Sequence, residues 1–210
     1  MDIGLERLKN LLLDMGHLAE RTVEMAIDAY EGGENKRDQV YSDSEDLRTL
    51  KEEVNDLATD ILARYQPVAT DLRFITSSME ISYGFARFGR YAYDITDVLS
   101  TFKDLSGCDK SQVEEAARKA TEMIRISLKA FTERDVTLAG RLAAMDDVVD
   151  GMYRDYLKKI AADPSVTVQC SMSGTLILRY IERIADHAED VGEAVAYTVT
   201  GKRLPRTQPR

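Results

Sequence analysis

The sequence predicts an all-α protein of two tandem three-helix bundles, six long helices in total. Three observations carry that prediction. Apolar residues recur at steps of three and four over long stretches, the period that gathers them on one face of an α-helix. The composition, 44% hydrophobic and 31% charged with 4 Pro, 12 Gly and no Trp, suits long helices and leaves little for turn-rich sheets. The pattern also runs twice: AIDAY (Ala26 to Tyr30) aligns with SLKAF (Ser127 to Phe131) at an offset of 101, and ARFGRYAYDITD (Ala86 to Asp97) with ERIADHAEDVGE (Glu182 to Glu193) at 96. A repeated unit of three helices with short connections gives an up-down-up bundle, twice.

The first helix is expected from about Gly4 to Tyr30, with Leu5, Leu8, Leu12, Met15, Ala19, Thr22 and Ala26 on one face and the Gly32-Gly33 pair as its stop. A second, from about Asp38 to Tyr65, keeps Leu47, Leu50, Val54, Leu57 and Ile61 in the same period. Gln66-Pro67 breaks it, because the residue before a proline disfavours helical geometry. The third runs from about Ala69 to Phe102, and Ser106 to Asp109 reads as the linker between repeats. After it come a fourth helix (Val113 to Phe131), a fifth (Asp135 to Ala162) and, past Asp163-Pro164-Ser165, a sixth (Val166 to Thr200). The domains so defined are residues 1–105 and 110–202, with 203–210 a basic disordered tail. Small residues near the two aligned motifs, Gly84, Ala86, Gly89, Ala92, Gly174, Ala185 and Gly192, would let the bundles approach each other closely.

Composition also excludes. No apolar run approaches the ~20 residues of a membrane span, and Met1 to Asn10 has neither the basic start nor the apolar block of a signal peptide, so the chain reads as cytoplasmic. A net charge of -9 opposes a nucleic-acid partner and suits one that presents basic loops, such as the Lys/Arg-rich cytoplasmic loops of a transporter. Cys108 and Cys170 have no CxxC spacing, and the sequence gives them neither a disulfide nor a zinc role. No GxSxG, HExxH or GxGxxG string is present, and GGENKR lacks the spacing of a phosphate loop, so an enzyme is not expected.

The sixth helix carries the chemistry. Ile177, Ile181, Ile184, Ala188, Val191 and Val195 form its apolar stripe, and Glu182, Asp186, Asp190 and Glu193 form a carboxylate stripe beside it. Like charges one turn apart cost about 0.2–0.5 kcal/mol per pair. Either a bound hard cation offsets that cost or Arg179 and Arg183, each three residues before an acid, neutralise a solvated acidic face. His187 points about 100° from Asp186 on a helix and suits packing or capping better than ligation. Asp14 and His17 are three apart, but no ExxH pair exists, which opposes a ferritin-like oxidase.

The run ERIADHAEDVGE resembles the C-terminal signature of the PhoU family of phosphate-uptake regulators, E-R-I-G-D-H-A followed by N-I-A-E. The likeness covers the chain from about Leu5 to Lys202, and it too implies a duplicated three-helix layout. It implies a metal site as well, on ExxxD and DxxxD motifs: Glu182xxxAsp186 and Asp186xxxAsp190 match, with Glu193 beyond them. On the fifth helix Asp146xxxAsp150 resembles the family's second motif, with Asp147 as the near alternative. In the first repeat Glu182 falls on Ala86, Asp186 on Arg90, Asp190 on Asp94 and Glu193 on Asp97. That site is degenerate, and Arg90 is expected to stand as an internal cation against Asp94. The second helix offers Glu45 or Asp46, while Asp56 and Asp60 read as a solvated face.

The resemblance further implies a non-catalytic regulator that acts on a membrane phosphate transporter or its ATPase, and in some organisms on a sensor kinase. It would work with one or more divalent or trivalent metal ions, Fe, Zn, Mn or Mg; a homodimer is expected separately, because exposed apolar helix faces on flat bundles often pair. Two alternatives stay open. One is a regulatory subunit of a cation channel or sodium-phosphate transporter; the other is a carboxylate-bridged metal redox protein.

Overall fold

A computed structural model describes residues 1–204. Its six helices are α1 (Asp2–Glu31), α2 (Arg37–Tyr65), α3 (Ala69–Phe102), α4 (Ser111–Glu133), α5 (Val136–Ala162) and α6 (Val168–Thr200), with no strand among the described residues. Local chemistry sets their ends. Gly32 takes a positive φ of 128° and donates its N–H to the Asp28 carbonyl, closing α1. Asp135, expected inside the fifth helix, instead caps it, accepting from the Thr137 and Leu138 amides. Thr167 does the same for the Cys170 amide, so α6 begins two residues later than the sequence suggested. Gly201, left-handed at φ 73°, ends α6.

Within each repeat the three helices pack on one another, α1 with α2 and α3, α4 with α5 and α6. Across the repeats, α3 packs on α6 and α1 on α4, whereas α2 and α5 touch only helices of their own repeat among the described residues. One continuous core results. Leu8, Leu12, Met15, Phe85 and Phe88 meet Met123, Ile124, Leu142, Ile177 and Ile184 in it, all fully or almost fully buried, and each such side chain contributes roughly 1.5–3 kcal/mol.

The α3–α6 seam is antiparallel. Gln169 Nε2 donates to the Phe102 and Asp104 carbonyls at one end, Arg73 Nε reaches the Thr198 carbonyl at the other, and Gly84 sits between, against Val191 and the His187 carbonyl. Of the glycines proposed to ease this approach, only Gly84 does so. Gly89 admits Leu47, Gly174 admits the Tyr156 hydroxyl and Gly192 admits Leu142, each within its own repeat. On the other seam Gly16 admits Leu128, and Arg125 bridges Glu20 and Glu24.

The cysteine expectation is overturned. Cys108 and Cys170 form a disulfide with Cα atoms 5.4 Å apart. The seam is the reason: holding the end of α3 against the start of α6 returns the linker to the first turn of α6, where Cys170 lies. Lys159 pairs with Asp109 at 2.9 Å in the same place. Of the tail, Arg203 pairs with Glu80 at 3.2 Å; the disorder expected of 205–210 lies outside the described residues.

Candidate functional site

α6 carries its two stripes side by side. The apolar one enters the core, and the flanking turn of the helix brings Glu182, Asp186 and Glu193 to buried positions at its edge, with Asp190 half-buried. α5 runs antiparallel to α6, since Leu142 meets Gly192 near one end and Tyr156 meets Gly174 near the other. It presents Asp146, buried on the same stripe as Leu142 and Val149, and Asp150, half-buried one turn on. Asp147 is half-buried beside them.

Guanidinium groups pair with three of these acids. Arg179 Nη1 donates to Glu182 Oε1, Arg183 Nη1 donates to Asp186 Oδ2 at 2.9 Å, and Arg154 lies 3.5 Å from Asp150 Oδ2. Arg183 Nε is also 3.8 Å from Glu182 Oε2, an oxygen that is buried and accepts no hydrogen bond. Burial pushes the Glu182 carboxyl up to about 7, with the Asp186 charge adding to it and Arg179 and Arg183 opposing; the Asp150 charge reaches it as well. A carboxylate desolvated beside a second carboxylate is unstable as an anion, and a proton or a cation relieves it.

The donors are all hard oxygens, the set that Mg, Mn, Fe or Zn ions accept. Among the described residues no group of three or more His, Cys, Asp or Glu side chains is gathered closely enough to hold an ion. Arg179, Arg183 and Arg154 occupy oxygens of Glu182, Asp186 and Asp150, so a cation would have to displace guanidinium to reach them. Chemically the donor set fits; the arrangement shown is its arginine-neutralised form.

Asp190 Oδ2 is 3.3 Å from His187 Nδ1. The His187 ring stacks on Tyr91 at 5.8 Å and meets Tyr83 edge-on at 5.7 Å, a packing role at the α3–α6 seam. Asp190 and Glu193 also line a cleft of about 380 Å³ with Met79, Glu80, Tyr83 and Arg203. The α6 acids therefore look two ways, Glu182 toward Asp150 on α5, Asp190 and Glu193 toward α3.

In the first repeat Arg90 Nη2 is 3.0 Å from Asp94 Oδ1, and Asp97 pairs with Arg37 at 2.8 Å. Burial still raises the Asp94 carboxyl, against the opposing Arg90 charge. Burial, and after it the Asp94 charge, raises the Tyr180 hydroxyl, which places this pair against α6. The α2 acids proposed from sequence lie outside the core: Glu45 pairs with Arg48, Asp46 is exposed, and Asp60 pairs with Arg64 on the surface.

Sequence reasoning missed Asp43. It is buried on α2 and accepts from Gln39 Nε2 at 2.7 Å and Thr22 Oγ1 at 3.5 Å. Its signal was periodicity, since it falls three after Val40 and four before Leu47, both core positions. Each repeat thus buries one acid on its middle helix, Asp43 on α2 and Asp146 on α5.

Comparison with known proteins agrees with this duplicated geometry. The PhoU domain model matches residues 12–99 and again 113–195. The phosphate-specific transport system accessory protein PhoU homolog of Clostridium acetobutylicum is 28% identical over 206 residues, covering 95% of this chain and 94% of that protein. The Pseudomonas putida homolog is 30% identical over 204 residues, covering 94% and 79%. Among solved structures, PhoU from Pseudomonas aeruginosa superposes with a TM-score of 0.87 at 28% identity over 96% of this chain and 99% of that one. PhoU from Streptococcus pneumoniae shares the fold, with a TM-score of 0.88 at 20% identity. With two family domains in tandem spanning most of its length and the same six-helix architecture, the chain belongs to the PhoU family.

Proposed function

We propose that this protein is an accessory regulator of a phosphate transport system, acting by contact with the membrane transporter or its ATPase and, where one is present, with a sensor kinase. The observation that carries the reading is the pair of PhoU domains at 12–99 and 113–195 in relatives of nearly equal length named for phosphate-specific transport. The net charge of -9 supports a partner with basic loops. No helix of the described residues is long and apolar enough to cross a membrane, so membrane attachment by the described helices would come through that partner. Co-purification of the tagged chain from its own host tests this. Recovery of a phosphate permease or its ATPase is expected; recovery of a cation channel instead would overturn it.

Metal is the second part of the proposal. Glu182, Asp186, Asp146 and Asp150 would hold an Fe, Zn, Mn or Mg ion after displacement of the arginines, with Asp190 and Glu193 further along α6. Glu182 favours this, through its buried, unbonded Oε2 and its raised carboxyl. The ion would supply the positive charge that joins α5 to α6, coupling its binding to the stability of the second bundle. Elemental analysis of protein purified without chelator should find bound metal that Glu182→Gln and Asp186→Asn remove. Metal-free protein, or undiminished metal in both variants, would overturn it.

A further inference from the structure

The Cys108–Cys170 bridge stands apart from the carboxylates, at the opposite end of α6 from Asp190, and the phosphate-transport reading does not use it. We propose that it is a reversible thiol–disulfide exchange site for small-molecule thiols, with Cys108 the sulfur that is attacked and Cys170 the sulfur that leaves.

Access comes first. Both cysteines are half-buried rather than enclosed, and both line an open cavity of about 260 Å³ with Gly107, Tyr156, Lys159 and Thr167. A bridge sealed in a core is inert, whereas one that opens onto a cavity can be reached by a thiolate.

The two sulfurs are not equivalent. Cys170 is the third residue of α6, and its amide is already bound by the Thr167 cap. A sulfur in the first turn of a helix lies in the positive field of the helix N-terminus, which favours its thiolate. Cys108 lies in the linker outside any helix, and its amide donates to the Leu105 carbonyl. Exchange expels the better leaving thiolate, which assigns departure to Cys170.

The steps balance. A thiolate RS⁻ attacks Cys108 Sγ, an RS–Sγ bond forms, the bridge breaks and its electron pair leaves on Cys170. A second RS⁻ then attacks the small-molecule sulfur of that mixed disulfide, giving RSSR and the Cys108 thiolate, and each thiolate takes up a proton from solvent to the extent that pH lies below its pKa. The protein gains two electrons; two small thiols are oxidised to one disulfide. Run backward with RSSR as oxidant, the same steps close the bridge.

Opening it changes the linker. The bridge encloses α4 and α5 in one loop, with a sequence separation of 62 between its cysteines. Two polar tethers would then hold the linker to the second repeat: Lys159 to Asp109, and Gln169 to the Phe102 and Asp104 carbonyls. Residues 105–110 would loosen on reduction while the Gly84–Val191 seam stays packed.

The full-length oxidised protein is equilibrated in buffers of fixed reduced-to-oxidised glutathione ratio, quenched by alkylation and read by intact mass, with hydrogen exchange on the two end states. The oxidised fraction should move reversibly between nearly complete and nearly absent across the series. Exchange should rise at 105–110 and stay unchanged at 84–91. The single variants separate the sulfurs: Cys170, left alone by Cys108→Ser, should alkylate with a half-maximal pH at least one unit below that of Cys108, left alone by Cys170→Ser. A bridge that never forms, a bridge that resists every glutathione ratio in the folded protein, or equal alkylation profiles would each overturn the proposal.

Discussion

Replacing Glu182 by glutamine tests the electrostatics of α6 most directly, because it removes one ionisable proton and keeps the shape of the side chain. Burial and Asp186 raise the carboxyl from its ordinary 4.5 to about 7. A raised folded-state value means that the folded protein holds this proton more tightly than the unfolded chain does. The resulting stabilisation is complete below 4.5 and is lost as pH rises through about 7. At about 1.36 kcal/mol per unit, the loss between pH 5 and pH 8 is at most about 2.5 kcal/mol, and the help given by Arg179 and Arg183 is already contained in it. The glutamine variant has no proton to lose there. Its stability minus that of the parent should therefore rise from pH 5 to pH 8, by up to about 2.5 kcal/mol. Urea unfolding of both proteins, freed of metal with a chelator and held at fixed ionic strength, followed by far-ultraviolet circular dichroism, measures the difference. A curve flat to within about 0.5 kcal/mol over that range would refute the claim that Glu182 is a destabilised anion.

Gly84→Leu drives a side chain into Val191, whose methyl already lies 2.8 Å from where a Cβ would sit. It should cost about 1–3 kcal/mol in urea unfolding by parting α3 from α6. Gly140→Ala and Gly151→Ala, on α5 with nothing within 4 Å of the added carbon, should each gain about 0.5–1 kcal/mol by stiffening the unfolded chain. Joint Cys108→Ser and Cys170→Ser substitution opens a loop whose ends are 62 residues apart; thermal unfolding under oxidising conditions should show a loss of about 2–4 kcal/mol. Arg90→Asp places an acid where the second repeat has Asp186. It should raise the metal bound per chain, and unchanged stoichiometry and stability would count against Arg90 as an internal cation.

What could be read from the chain was what repeats along it. Helix order, the duplication and the Arg90–Asp94 pair all follow from spacings of three and four, and such spacings fix neighbours on one helix whatever the rest of the fold does. Partners across helices were harder to see. Asp46 looked as good as any α2 acid by charge alone, yet Asp43 is the one whose register with Val40 and Leu47 carries it into the core. The glycines near the two aligned motifs suggest one seam by sequence; each in fact answers the bulk of a particular partner, leucine, valine or tyrosine, on a different helix. The disulfide shows why this limit is physical. Cysteine spacing carries no signal at a separation of 62, but once Gln169 is bonded to the Phe102 and Asp104 carbonyls, the geometry leaves little freedom. Cys170 is then fixed one residue beyond that contact, and Cys108 is tethered four residues beyond Asp104 on a short linker. The two thiols meet as a consequence of how the repeats dock, so the bridge reports on the seam, and losing the seam should lose the bridge before it disturbs the helices.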